Sequence, residues 1–562
     1  MKAWSFKKTF LLLLFIWFLL NLIQALFMEV ISDEAYYGVY GRFPAWGYYD
    51  HPPMVALLIR ISSLLFARNL GIRLMTVLLQ PVTLLIIWKT IDLKDPGSKQ
   101  VITFFIIAFS IWLFPAFGVV TTPDAPLLFF TALFVYGYRK FLSGEKWPDV
   151  ILLAVSMAGL VYSKYQAILV IGFVVLSNLS LLRNIRFWLA GIMALVLLAP
   201  HIIWQFANHF PALGYHLVAR SVEFRWKYFL EYLPNQLAVF NPLVLGAVVY
   251  ILMKYRPSDK FMRSLFFLII GFISFFWLTS FRGHVEPHWT IACSIPMIIL
   301  IVLNSQKDQQ LFRFTRRYIL PLILLLTLLR IFLMTDMKLN VSLGFSGKEE
   351  KYRQIESAAG ELPVVFTGSF QRPSLYTFFT GRDATVISSV YSRQTQFDIL
   401  QLEKKFHNKP AFIYRDVMPG DTSATFGTDS FRFAGSVTDS LQTVNRMKIR
   451  FNLYSFTFQP GDSIEIPFAL QNPYDYEIDF NHKRFPVEVC LVFSRGEAIT
   501  VQHASLNQPV NIIPAGATFE RILVSVIPAL TGGEYKLGIC LNNKFGPSLN
   551  SRFVKIKAGY ND

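Results

Sequence analysis

Runs of apolar residues, too long and unbroken for the stripe of an amphipathic soluble helix, recur from the N-terminus to about residue 335 and then cease. Windows long enough to cross a hydrocarbon layer of about 30 Å fall at 9–28, 70–91, 100–118, 124–142, 148–163, 165–182, 186–206, 234–253, 262–280, 288–304 and 314–334. The pattern therefore predicts eleven transmembrane helices. A shorter apolar segment, 54–66, is led by Pro52 and Pro53 and interrupted by Arg60, and its length suits a helix lying in the headgroup region. The first apolar run follows Lys7 and Lys8 but continues to Met28 with no small-residue cleavage site after it. It is expected to stay as an anchor rather than to be removed as a signal peptide.

Beyond residue 335 the periods change. Strand and helix patterns alternate: 364–367, then helical 373–379, strand 384–387, helical 396–406 and strand 411–414. From about Arg446 the chain reads as strand throughout, at 448–458, 463–470, 488–493, 520–527, 535–541 and 552–557, broken by Pro-Gly-Asp, Asn-Pro-Tyr-Asp and Gly-Gly turns. The expected organisation is a transmembrane domain over 1–335, a small extracytoplasmic α/β domain over 336–440 and an extracytoplasmic β-sandwich over 441–562.

Composition fits a polytopic membrane protein. Charged residues make up 16% and hydrophobic residues 54% of the 562 positions, against about 25% charged in an average soluble domain. The basic residues sort to one side of the predicted helices: Lys2, Lys7, Lys8; Lys94, Lys99; Arg139, Lys140, Lys146; Arg183, Arg186; Lys254, Arg256, Lys260, Arg263; Lys307, Arg313, Arg316, Arg317. The positive-inside rule makes that side cytoplasmic, so the net charge of +17 reads as a topology signal and not as a nucleic-acid footprint. An odd number of crossings then places the C-terminal portion outside the cytoplasm, with the N-terminus inside. Of the three cysteines, Cys293 falls within a predicted helix, while Cys490 and Cys540 lie in predicted strands where a bridge is permitted.

The polar residues of chemical interest fall on the opposite, extracytoplasmic side. These are the adjacent acids Asp33 and Glu34, Thr121-Thr-Pro-Asp124, Ser163-Lys-Tyr165, the segment from His201 to Tyr232, and Arg282-Gly-His-Val-Glu-Pro-His288. Asp33 also suits a helix N-cap, Asp124 a cap after Pro123, and Lys164 a snorkelling side chain with no acidic partner nearby in sequence. Aromatic residues on this side, among them Trp46, Tyr48, Tyr49, Trp204 and Trp289, fit an interfacial belt.

The motifs Asp33-Glu-Ala-Tyr-Tyr37, Asp50-His-Pro-Pro53, Thr122-Pro-Asp124, Ser163-Lys-Tyr165 and Glu286-Pro-His-Trp289, in this order, resemble the integral-membrane glycosyltransferases of the GT-C fold. The resemblance is to the bacterial branch of the dolichyl-phosphate-mannose protein mannosyltransferase and lipid A aminoarabinose transferase type. It covers about residues 5–335, weakens through 372–398 and stops by about 440.

The resemblance implies transfer of a sugar from a polyprenyl-phosphate donor to a lipid, glycan or protein acceptor on the extracytoplasmic face of the inner membrane. It implies Asp33 as the base and places Asp124 near the reaction centre, while Glu34 is a catalytic candidate that either orients Asp33 or is merely solvated. Lys164, Arg282, His284 and, behind them, Arg73 are the candidates for the donor phosphate. His51 stands where aminoarabinose-type relatives often carry Lys, a departure that weakens its claim to the phosphate. Tyr36, Tyr37, Tyr49, Asp50, Glu286, His288 and Trp289 are the candidates to meet acceptor and sugar. No cofactor is expected to be required, although His288, Glu286 and Asp50 are a possible divalent-metal set. A transporter and a non-catalytic envelope scaffold are the competing readings. The sugar, the acceptor and the oligomeric state are not legible.

Overall fold

The computed structural model describes residues 2–94, 96–219, 225–334, 347–416, 425–428, 431–453, 457–496 and 498–558. The chain forms two compact units, Met1–Gly347 and Lys348–Asp562.

The first unit is helical. Its elements are α1 (Lys2–Phe27), α2 (Ser32–Arg42), α3 (Met54–Leu65), α4 (Arg68–Ile91), α5 (Ser98–Ser110), α6 (Leu113–Ala116), α7 (Asp124–Gly144), α8 (Trp147–Ser163) and α9 (Ile168–Ser177). There follow α10 (Ile185–Ala207), α11 (Pro211–Leu213), α12 (Trp226–Phe240), α13 (Pro242–Lys254), α14 (Lys260–Thr279), α15 (Ser294–Ser305), α16 (Gln309–Phe314) and α17 (Leu320–Met334). Helix stands at every one of the eleven predicted places, and α3 occupies the predicted short apolar segment.

Among the described residues, length and composition alone qualify five helices as membrane-crossing: Phe6–Phe27, Arg68–Ile91, Ile185–Ala207, Lys260–Arg282 and Pro287–Ser305. The others are shorter or interrupted or, as in the 21-residue α7, carry charged residues within their length. The segment predicted as one span at 234–253 is in fact two helices, α12 and α13, bent by 102°. The break sits at Asn241, whose φ of +74° lies in the left-handed region that Asn tolerates better than most residues. Asn241 Oδ1 caps the Leu243 N–H (2.9 Å) and its Nδ2 donates to Ser110 O (3.1 Å), so the bend is built and satisfied.

Packing explains which helices are central. Between Pro287 and Ser305 most of the helix is buried, with Ile295, Met297, Ile298 and Ile299 inaccessible. Outer helices instead expose large apolar side chains such as Leu11 and Phe15 on α1, Leu195 and Ile203 on α10, and Leu324 and Leu328 on α17. Apolar surface turned outward on several helices is what a bilayer accepts and water does not. The protein is a multi-pass membrane protein.

The second unit opens with α18 (Lys348–Ala359) and a five-stranded sheet in the order β2-β1-β3-β5-β4. Here β1 (Val364–Thr367), β2 (Ala384–Ile387) and β3 (Ala411–Arg415) are parallel, while β4 (Thr425–Thr428) and β5 (Phe431–Thr438) extend the edge antiparallel. Helices α19 (Gln371–Thr380) and α20 (Gln396–Leu400) connect the parallel strands, and the helix read over 396–406 ends at Gln401, whose φ is +57°.

The remaining strands run from β6 to β17: β6 (Lys448–Phe451), β7 (Thr457–Phe458), β8 (Ser463–Gln471), β9 (Ile478–Asp479), β10 (Glu488–Arg495), β11 (Ala498–His503), β12 (Ser505–Leu506), β13 (Ile512–Ile513), β14 (Thr518–Val526), β15 (Gly533–Asn543), β16 (Gly546–Pro547) and β17 (Val554–Ala558). They form two main sheets, β11-β10-β15-β17-β7 and β12-β14-β8-β6, that share one core drawn from both, with Ile466 and Phe468 against Leu491, Phe493 and Leu537. That is the sandwich the alternating pattern predicts. Cys490 and Cys540 are direct cross-strand neighbours and are buried free thiols.

Candidate active site

Helix α2 begins where α1 ends, because Met28 to Ile31 leave the helical path and Ser32 restarts it. Its cap is Ile31, with the Ile31 N–H donating to Glu34 Oε2 (3.2 Å), so the N-cap role considered for Asp33 goes to Ile31. Asp33 lies in the first turn with its carboxylate exposed.

Glu34 points the other way and is wholly buried. Arg73 on α4 donates Nε to Glu34 Oε1 (2.7 Å) and Nη2 to Oε2 (2.5 Å). The same guanidinium reaches Ala25 O (3.2 Å), Met28 O (2.5 Å) and Glu29 O (3.0 Å), which commits all five of its N–H groups. Glu34 Oε1 also accepts from the Thr121 N–H (3.0 Å), and Thr121 Oγ1 is hydrogen-bonded to Thr76 (2.8 Å). Two sequence assignments change here: Arg73 has no donor left for a phosphate, and Glu34 is spent on Arg73 and the backbone. Together they tie the end of α1, α2, α4 and the 121–124 loop into one piece.

That loop delivers Asp124 to the start of α7. Lys164, in the break after α8, donates Nζ to Asp124 Oδ1 at 2.7 Å, and both side chains are 3% exposed. Lys164 is thus a buried ion-pair partner and not a snorkelling surface residue. His288 Nε2 stands 3.7 Å from the other Asp124 oxygen.

The loop from Phe43 to Pro53 closes over the same region. Asp50 is buried and accepts a short hydrogen bond from the Tyr40 hydroxyl, and the Tyr40 ring stacks on Tyr48 at 4.1 Å. Trp46 O is held by His201 Nδ1 (2.6 Å), while Gly47 passes so close to Trp204 that a Cβ would lie 2.3 Å from its ring. Tyr37 lies within electrostatic reach of Asp50, Asp33 and Asp124; burial first, and these acids after it, push its hydroxyl well above the usual tyrosine range. It remains a protonated donor among three carboxylates.

His51 rests edge-on against Tyr37 (5.5 Å) and near His216 (6.4 Å). Burial, with Lys164 and His216 nearby, outweighs Asp50 and Asp124 and holds it down at about 4. It is neutral at pH 7, so it offers hydrogen bonds and no charge. Its Nδ1 is buried with no hydrogen-bond partner among the described residues.

The structure therefore gathers Asp33, Tyr37, Asp50, His51, Asp124, Lys164 and His288 around one region. His216 and Tyr165 join them: His216 Nε2 lies 3.0 Å from Asp50 O, and Tyr165 packs on His216 (5.7 Å) while bonding His201 (3.3 Å) and Gln205 (2.8 Å). Tyr165 belongs to the Ser163-Lys-Tyr165 motif and His216 to the 201–232 segment, but neither was given a role from sequence. His216 sits in a segment without period or motif, and Tyr165 could have been given one as the neighbour of Lys164.

Other predicted residues lie differently. Tyr36 is buried against Tyr40 (4.8 Å), and the partly buried Trp289 packs on Phe276 (5.5 Å). Tyr49 is mostly covered by Tyr215 (5.7 Å). Arg282 is exposed after α14, and His284 pairs with Glu286 (3.5 Å) beside Tyr228. Among the described residues no group of three His, Cys, Asp or Glu side chains stands close enough to hold a metal ion.

An apolar groove of 420 Å³ adjoins the site, lined by Trp46, Tyr48, Met54, Leu57 and Tyr162, with Arg60 at its edge.

The chain has the GT-C fold, as its likeness to solved structures shows. Residues 50–204 match the sequence family of dolichyl-phosphate-mannose-protein mannosyltransferases. The crystal structure of ArnT from Cupriavidus metallidurans bound to undecaprenyl phosphate superposes with a TM-score of 0.57 at 12% identity, covering 75% of this chain and 97% of that one. Its apo form gives 0.57 and 12% over 75% and 96%. The S. cerevisiae protein O-mannosyltransferase Pmt1-Pmt2 complex bound to the sugar donor matches loosely, at a TM-score of 0.28 and 16% identity over 42% and 37%. No curated protein sequence matches the chain.

Proposed function

We propose that the protein transfers a sugar from a polyprenyl-phosphate donor to a hydroxyl or amine of a lipid, glycan or protein acceptor, at the extracytoplasmic face of the inner membrane. One observation carries the reading: the exposed Asp33 carboxylate shares a region with the buried Asp124–Lys164 pair, Tyr37, Asp50 and His51, next to an apolar groove.

The chemistry follows from that arrangement. As the acceptor oxygen or nitrogen bonds to the anomeric carbon, Asp33 takes its proton, and the bond from that carbon to the phosphate oxygen breaks. The departing polyprenyl phosphate gains negative charge. Lys164, shared between Asp124 and the phosphate, offsets that charge, with the exposed Arg282 as a second cation and neutral His51 as a hydrogen-bond donor. The groove takes the start of the lipid tail, with Arg60 at its rim. No step calls for a metal ion.

A transporter remains the second reading because α12 and α13 form a broken helix. The break carries an amide, Asn241, rather than the charge that a solute pathway uses.

The test is transfer by the purified protein from a synthetic polyprenyl-phosphate sugar. Asp33→Asn should lower turnover by about 100-fold or more. Lys164→Gln, which keeps a hydrogen bond to Asp124, should lower kcat more than it raises the KM for donor. Near-normal turnover by Asp33→Asn would remove Asp33 from the role of base.

A further inference from the structure

The second unit contains a cavity of 410 Å³ that the transfer reading does not use. Its wall is built from the end of β2, the α20 region and the 445–448 turn that leads into β6. The size lies within the range of roughly 300–1,000 Å³ over which small-molecule sites occur.

Its lining is neither apolar nor of one charge. Asp398 is half-buried there, its Oδ2 accepting from Ser388 Oγ (3.0 Å) and the Thr395 N–H (2.7 Å). Glu403, 6% exposed, accepts from Arg446 Nε (2.9 Å). Burial holds both carboxyls above their ordinary values despite these bonds. Asn445 spends its amide nitrogen on Ser388 O, while its Oδ1 is buried with no partner among the described residues. An acceptor left unmatched in this way carries a desolvation penalty that a donor from a ligand removes. Lys404 and Lys448 add donors at the rim, and Phe397 and Met447 are buried behind the wall.

Each plausible class of ligand can be set against that lining. A bare anion is opposed by Asp398, Glu403 and the Asn445 oxygen. An apolar ligand would strand all of them. Hydroxyl groups, each at once donor and acceptor, suit a wall that mixes planar acceptors with a guanidinium and ammonium groups. We infer that this cavity is a saccharide-binding site in the second unit, distinct from the transfer site in the first, with Asn445, Asp398 and Arg446 as its hydrogen-bonding wall.

The inference stands apart from the transfer reading, and the experiment keeps them separate. The full-length protein in detergent micelles is probed by saturation-transfer NMR with mannose, glucose, galactose and N-acetylglucosamine, and inorganic phosphate is added as a competitor. At least one monosaccharide should show transfer. Asn445→Leu, close to isosteric, should weaken it about tenfold, as expected for the loss of one or two hydrogen bonds. Lys448→Ala, on the exposed rim where folding is not at stake, should weaken it several-fold, and Asp33→Asn should leave it unchanged. No transfer from any of the four sugars, transfer that survives both cavity variants, or sugar displaced by phosphate would each overturn the inference. Thermal unfolding of Asn445→Leu close to that of the parent protein shows that its loss is one of binding.

Discussion

His51 illustrates how far a single side chain departs from its sequence neighbourhood. Next to Asp50 it looks like a histidine that should hold a proton, yet burial dominates and holds it near 4 against an ordinary 6.5. A depressed value means that the fold favours the neutral ring. Its stabilising contribution is complete above about pH 6.5 and is lost as pH falls toward 4. Thermal unfolding measured at pH 7 and pH 5 should therefore show a larger drop for the parent protein than for His51→Gln. Equal drops would mean that the ring is not held neutral. Asp33 and Asp124 were legible as residues of interest because acids are scarce at membrane level. Their partners were not legible, since Lys164 lies forty positions from Asp124 and Arg73 thirty-nine from Glu34, and no periodicity encodes such contacts.

Between elements, the Glu34–Arg73 pair is the joint that positions the site. Both groups are buried, and every N–H of the guanidinium is used. Removing one partner strands the other. Arg73→Met alone should destabilise the protein by about 3–5 kcal/mol, whereas Arg73→Met with Glu34→Leu should recover much of the loss. Unfolding temperatures of the solubilised variants decide it, and a double variant no better than the single would show that the backbone contacts matter more than the pair. Helix placement was readable because unbroken apolar runs leave few alternatives, and the strands of the sandwich because they alternate. The turn at Asn241 was not readable, since the apolar run continues across it and the bend depends on Ser110, which is 131 residues away. Strand β5 was missed as well: it completes the α/β sheet from a stretch, Phe431–Thr438, that carries a glycine and weak alternation.

At the scale of the molecule, a membrane unit with its polar residues at one end and a sheet-rich second unit give one chain with two kinds of chemistry to hand. The fold class was available from hydropathy and motif order, and the comparison with ArnT agrees with it. Function on such a fold rests on the side chains of its sites, where one residue changes the ligand without changing the fold.

The central claim is that Asp33 serves a sugar transfer from a polyprenyl phosphate. Mass spectrometry of the polyprenyl-phosphate sugars and envelope glycans tests it most directly, in cells with the protein, without it, and rescued by Asp33→Asn. The account predicts that one polyprenyl-phosphate sugar accumulates and one glycan disappears when the protein is removed, and that the variant inserts normally but restores neither. Unchanged sugar pools, or full rescue by the variant, would contradict it.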